Sequence, residues 1–209
     1  MMNKARSVSF IPVIMLLLFC SLVTGCFGDG TKNGPHYYLV DPVVVDAPEP
    51  DAENQLAVEL VDLNIPQYLQ RFQIVTRDGE NRLQLSENNQ WGENLRKNLI
   101  RTLAFNLANR LSTNDIGTPL DRSASVPDYR VQVYIGKFEL DPNGKVILVA
   151  RWQLTNVEAQ ETGMFHASLQ SNDPIKTGDY DQIVADMQDL FAGLCDKIAA
   201  SIVAPEDDR

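Results

Sequence analysis

The chain has 209 residues, with 18 Lys and Arg against 28 Asp and Glu, and a formal net charge of −10. That balance disfavours nucleic acid as a partner, because phosphate backbones are held by Lys and Arg, and no basic run here is longer than Arg96-Lys97. With 44% hydrophobic residues and no internal repeat, the length fits one well-buried core and one domain.

The N-terminus reads as a lipoprotein signal. Lys4 and Arg6 precede a mostly apolar stretch from Phe10 to Leu22, and Val23-Thr24-Gly25 leads into Cys26. A membrane-spanning helix needs about 20 apolar residues, whereas the apolar part of a signal peptide needs about 7 to 15. A plain secretory signal does not require a cysteine at the cleavage point; a bacterial lipoprotein signal does, because the thiol takes the diacylglyceryl group. We therefore expect residues 1–25 to be removed and Cys26 to be lipidated. Three acyl chains exceed the two lipid signals that hold a protein stably on a membrane. Cleavage removes two cations and no acid, which takes the mature chain to a net charge of −12, with 16 cations against 28 acids. Cys20 leaves with the signal and Cys26 becomes a thioether, so Cys195 remains without a disulfide partner and reads as a small buried hydrophobe.

Residues 26–35 are rich in Gly, Asp, Thr and Asn and read as a flexible tether. The domain is expected over 36–204. His36 to Val40 is a short strand candidate, and Asp41 to Gln55, with its prolines and acids around Val43-Val44-Val45, reads as a loop. Leu56 to Leu63 and Phe72 to Arg77 are strand-like, and Asp78-Gly79 turns the second into Arg82 to Ser86 as a hairpin. From Trp91 the apolar positions become Trp91, Leu95, Leu99, Leu103, Leu107 and Leu111, which is the period of a helix lying on a sheet.

Ser112 to Pro127 is a polar linker. Beyond it Tyr129, Val131, Val133 and Ile135 alternate with polar residues, but the parity then slips to Phe138 and Leu140, which predicts a bulge near Gly136. Asp141-Pro142-Asn143-Gly144 is a turn, followed by a strand from Val146 to Leu154 and another from Thr162 to Ser171. Asp179 and Gln182 open a final helix whose apolar face runs from Tyr180 through Phe191 to Ile202, before the acidic tail 205–209. The order predicts an α+β fold, a single domain in which two helices pack on one face of a mostly antiparallel sheet.

Chemistry-bearing motifs are scarce. His36 and His166 stand apart, and no metal-ligand spacing, nucleophile elbow or phosphate-binding glycine loop is present, so neither a metal, a cofactor nor a catalytic residue is expected. Trp91 and Trp152 fall at in-pattern positions and read as core rather than as a lipid groove. The segment Ile65-Pro66-Gln67-Tyr68-Leu69-Gln70-Arg71 joins two strands; Tyr68, Leu69 and Arg71 are candidates for a partner-binding surface, since Tyr and Arg are enriched at interface centres. The alternative is that Tyr68 and Leu69 close one end of the core.

An ordered set of residues also resembles a known family. The lipobox at Cys26, Tyr37-Tyr38-Leu39, Ile65-Pro66-x-Tyr68-Leu69-x-Arg71 with Gln73-Ile74-Val75-x-Arg77, and Trp91-x-Glu93-x-Leu95 are followed by Asp128-Tyr129-x-Val131-x-Val133, Phe138-Glu139, Gly144 to Leu154 and Tyr180 to Ala199. These resemble the ABC-type transport auxiliary lipoproteins of the PqiC (YmbA) type over nearly all of 36 to 203. The resemblance implies a non-enzymatic accessory of an MCE-type intermembrane lipid transport system. Its implied partners are an MCE-domain (PqiB-like) protein that spans the periplasm and that protein's inner-membrane partner. It also implies a lipid anchor in the outer membrane facing the periplasm, which Phe27 after the lipidated cysteine fits, and the prospect of a homo-oligomeric ring. Two other readings stay open: a structural or regulatory envelope lipoprotein acting on peptidoglycan synthesis or secretion, and a lipid carrier.

Overall fold

In the computed structural model, residues 34–45 and 56–203 are described; Cys26, the signal, the tether up to residue 33, part of the acidic loop and the tail lie outside them. The strands are β1 (His36–Tyr38), β2 (Val58–Asn64), β3 (Gln73–Arg77), β4 (Leu83–Trp91), β5 (Ile116–Gly117), β6 (Tyr129–Leu140), β7 (Val146–Asn156) and β8 (Glu161–Gln170). The helices are α1 (Leu95–Arg110) and α2 (Tyr180–Val203). All eight strands join one sheet.

The sheet is organised around β6. One edge of it pairs antiparallel with β7 along its whole length, and β7 pairs antiparallel with β8. The other edge is shared: β2 runs parallel to residues 129–134, and β3 meets Leu140 at Thr76. The long pairings are thus antiparallel, as expected, but β1 on β4, β2 on β5 and β6, and β3 on β6 are parallel, so the sheet is mixed, mostly but not purely antiparallel. The parallel pairings arise because the chain returns to the sheet's middle after each excursion, a relation that local alternation does not encode.

The α+β class, the single domain and the two helices on one face are as expected. Val131, Val133, Ile135, Phe138 and Leu140 of β6 stand opposite Leu154, Trp152, Ala150, Leu148 and Val146 of β7, and all ten are buried. Phe191 of α2 lies on Phe138 with ring centroids 6.1 Å apart, and the Trp152 indole N–H donates to Ser201 of α2 at 3.1 Å. Both tryptophans are buried, and Trp152 stacks on Phe165 of β8 at 5.5 Å. The parity slip is a bulge: the β6–β7 register shifts between Ile135 and Lys137, which leaves Gly136 as the extra residue. The turn before β7 closes with Gly144 at φ +79°, and the β3–β4 hairpin with Gly79 at φ +127°, both positions that suit glycine.

Two boundaries differ. Trp91 ends β4 instead of starting the helix: its N–H donates to the Phe72 carbonyl at 2.6 Å, and Asn94 caps α1 by accepting from the Lys97 N–H at 3.1 Å. β4 extends through Glu87 to Gln90, a polar stretch without a strand pattern, because β3 and β1 pair with its two edges; Glu87 and Asn88 are exposed, while the half-buried Asn89 side chain hydrogen-bonds Ser86 and Tyr38. The linker Ser112 to Pro127 contains the short β5 beside the start of β2.

Helix α1 carries a second pattern beside its leucines. Asn98, Thr102, Asn106 and Asn109 form a polar row that holds residues 40–45 along the helix. The Val40 N–H donates to Asn98 Oδ1 at 2.8 Å and the Thr102 hydroxyl donates to the Val40 carbonyl at 2.7 Å. The N–H groups of Val43 and Val45 donate to Asn106 and Asn109, each at 3.0 Å. A chain segment with no ladder of its own must find partners for its amides, and here helix side chains supply them. Helix α2 has no such row and buries Ile183, Met187, Phe191, Leu194, Cys195 and Ile198. Asp179 caps it by accepting from the Gln182 N–H at 3.2 Å, but the Gln182 side chain turns to Asp186, so the cap is one-sided.

Candidate functional site

The helices cover one face of the sheet and leave the other open. On that open face three parts of the chain meet: the segment between β2 and β3, the bulge of β6, and the middle of β7 and β8. Pro66 opens a short 3-10 turn, Gln67–Leu69, with backbone bonds Leu69 N–H to the Pro66 carbonyl and Gln70 N–H to the Gln67 carbonyl, each 3.0 Å. The Gln70 side chain amide donates to the Ile65 carbonyl at 3.0 Å. Ile65 and Leu69 point into the core, which anchors both ends of the loop.

Tyr68, beside them, is half-buried and packs against the edge of the core. Its hydroxyl donates to Glu139 of β6, whose other oxygen accepts from Arg77 of β3 at 2.7 Å. Glu139 is 0% exposed, and Arg77 also donates to the Glu80 carbonyl at 2.9 Å. A buried carboxylate is tolerated only when paired and hydrogen-bonded, which Tyr68 and Arg77 achieve from two directions. Burial raises the Tyr68 hydroxyl well above its ordinary value, and the Glu139 hydrogen bond adds to this; that same carboxylate raises Arg77. Tyr68, Arg77 and Glu139, far apart in the sequence, are thus one locked cluster.

The candidate partner residues therefore separate. Leu69 is 2% exposed and belongs to the core, Tyr68 is half-buried and tied to Glu139, and Arg71 is exposed. Phe72, absent from the sequence-based candidates, is 62% exposed beside it. The loop is a fixed platform that shows Arg71 and Phe72 to solvent.

Next to it runs a groove of about 470 Å³, walled by Ile65 and Pro66 on one side and Tyr134, Val149, Arg151 and His166 on the other, with Gly136 of the bulge between. Arg151 lies over the Tyr134 ring at 4.9 Å and stands opposite His166 in the β7–β8 register. Sequence reasoning placed His166 in a strand but missed Arg151 and Tyr134; the available signal was the parity slip at Gly136, because a bulge re-aims neighbouring side chains. A larger hollow of about 630 Å³ lies by the start of α2 and is lined by Asp173, Asp179, Asp186, Asp189 and Lys176. Among the described residues no group of His, Cys, Asp and Glu is arranged to hold a metal ion, and no helix is long and apolar enough to cross a membrane.

Comparison with known proteins gives the fold a family. A family model described as "ABC-type transport auxiliary lipoprotein component" matches residues 37–199. No curated protein matches. A crystal structure of an uncharacterized protein is similar at TM-score 0.60 and 22% identity, over 81% of this chain and 99% of that one. A Xanthomonas campestris protein assigned to family DUF330 is similar at TM-score 0.58 and 12% identity, over 79% of this chain and 94% of that one. The PelC dodecamer of Paraburkholderia phytofirmans is more distant, at TM-score 0.41 and 10% identity over 73% of this chain and 93% of that one. At these identities the first two of these structures speak to the fold alone.

Proposed function

Because the chain belongs to the family of ABC-type transport auxiliary lipoprotein components, we propose that it is the lipid-anchored accessory of an MCE-type intermembrane transport system and docks the periplasm-spanning protein at the outer membrane. The family is one of transport accessories rather than of enzymes. The observation that carries the reading is the family match over 37–199, which takes in every described element up to the last turn of α2.

In this reading Cys26 holds the protein on the membrane through its lipid, residues 27–35 act as a tether, and the domain recruits a protein partner. The lipid does the anchoring and the fold does the docking. The locked loop of Tyr68 supports such a role, because a pre-organised surface loses little conformational entropy on association. Arg71 and Phe72 are the side chains it presents.

The test is an affinity pull-down of the full lipidated protein from crosslinked envelopes, with Cys26→Ala as control. Recovery of an MCE-domain protein with the native form, and its loss with Cys26→Ala, is the expected result. Recovery of only peptidoglycan synthases or secretion components overturns the reading.

A further inference from the structure

Most of the described arginines of this acidic protein are matched to acids. Among the described residues Arg77, Arg82, Arg96, Arg101, Arg110, Arg122 and Arg130 each pair with a carboxylate. Arg71 and Arg151 have no such pairing, and they flank the same structure: Arg71 sits in the loop whose Ile65 and Pro66 wall the groove, and Arg151 stands on the opposite wall.

Arg151 is held without being neutralised. Its guanidinium rests over the Tyr134 ring, a contact that orients the fork while leaving its donors available. His166 lies beside it across the β7–β8 pair, and no acid lines the groove. In a chain with a net charge of −10, this is a local positive spot bordered by apolar walls at Ile65, Pro66 and Val149. A partner's carboxylate is repelled by most of the surface and favoured here.

We infer that the groove over the β6 bulge is a docking site for an extended protein segment that seats an apolar side chain over Gly136 and sets a carboxylate against Arg151 and His166. The shape favours a polypeptide over an acyl chain. Gly136, Val149, Arg151 and His166 are all solvent-exposed, whereas a small-molecule site buries most of its ligand. A volume of about 470 Å³ takes one or two side chains, and arginine meets a carboxylate with two parallel hydrogen bonds. The inference rests on the docking role proposed above, to which it gives a site.

Gly136 offers a clean way to fill the groove. Its φ is not in the positive region, and a Cβ built there meets the Val149 carbonyl at 3.6 Å, an ordinary contact, so Gly136→Leu adds bulk in the groove with the bulge left intact. The experiment uses the full lipidated protein in envelopes, with a benzoylphenylalanine photo-crosslinker at Val149 and, as control, at the exposed Phe105 of α1. The expected result is an adduct at Val149, and none at Phe105, to a segment of the protein recovered in the pull-down, with Asp or Glu within a few residues of the crosslink. Arg151→Glu and Gly136→Leu each lower recovery at least tenfold with an unchanged melting temperature, and Lys in place of the partner's acid restores binding to Arg151→Glu.

Adducts to a lipid or to a second copy of this chain overturn the inference. So does the absence of an adduct at Val149 while the partner is still recovered, or undiminished recovery with both variants. If the adducted protein is a secretion component or a peptidoglycan synthase, the groove stands and the transport reading fails.

Discussion

The two faces of one sheet have opposite constructions. Towards the helices, β6 and β7 present ten buried apolar side chains, met by Phe191 and its neighbours on α2. Towards solvent the same strands carry Tyr134, Lys137, Arg151 and the bulge at Gly136, with Met164 of β8 60% exposed. Strand alternation makes this division automatic, since neighbouring residues point to opposite faces. The covered face holds the fold together; the open face, in the proposed reading, carries the features a partner reads.

The sharpest way to break the comparison is to damage each face and measure different things. Phe138→Ala empties a fully buried site on the covered face and is expected to lower stability by about 3–5 kcal/mol in chemical denaturation, the usual cost of an aromatic-to-alanine cavity. Arg77→Ala leaves Glu139 buried with Tyr68 alone. Arg77 is itself 18% exposed, so water offsets part of the penalty and the expected loss is about 2–3 kcal/mol, below the full value for a sealed pair. Tyr68→Phe removes one hydrogen bond from the same carboxylate and costs about 1–2 kcal/mol. Met164→Ser, on the open face, changes stability by no more than about 0.5 kcal/mol.

Cys195 sharpens the contrast through pH. Burial beside Leu194 and Ile198 raises its thiol from 9.0 to about 12, with the Asn106 amide 3.5 Å from the sulfur as a smaller opposing influence. The unfolded thiol ionises near 9 and the folded one does not, so between pH 9 and 12 the folded state holds more protons. This contribution to stability is full below pH 9 and lost as pH rises towards 12. Native protein should resist alkylation at Cys195 at pH 8, as read by peptide mass spectrometry, and react on addition of denaturant.

The covered face was legible in the sequence because it obeys periodicity. Val131 to Ile135, the slip to Phe138, and the leucines of α1 each gave a pattern with a period, and the bulge followed from the break in one of them. The mixed pairing was not legible, because which strand neighbours β6 is decided by the path of the chain between elements. The row Asn98, Thr102, Asn106 was also hidden: it has helical spacing, but polar residues at that spacing ordinarily mark a solvated face, and here they meet the backbone of Val40 and Val43.

The candidate site was half legible. Tyr68, Leu69 and Arg71 marked the right loop, yet the side chains divide into core, lock and surface only when Glu139 is seen beneath Tyr68. Arg151 gave no signal, since an arginine in a strand says nothing about whether an acid faces it. What distinguishes it is the pairing of seven other arginines, a property of the folded chain.

Hydrogen exchange on the detergent-solubilised lipoprotein, with and without the partner recovered from envelopes, tests the division of the two faces most directly. The account predicts added protection across residues 65–72, 134–137 and 149–151 on binding, and none on the solvent side of α1 around Phe105. Protection confined to the helices, with the bulge and the Tyr68 loop unchanged, would contradict it.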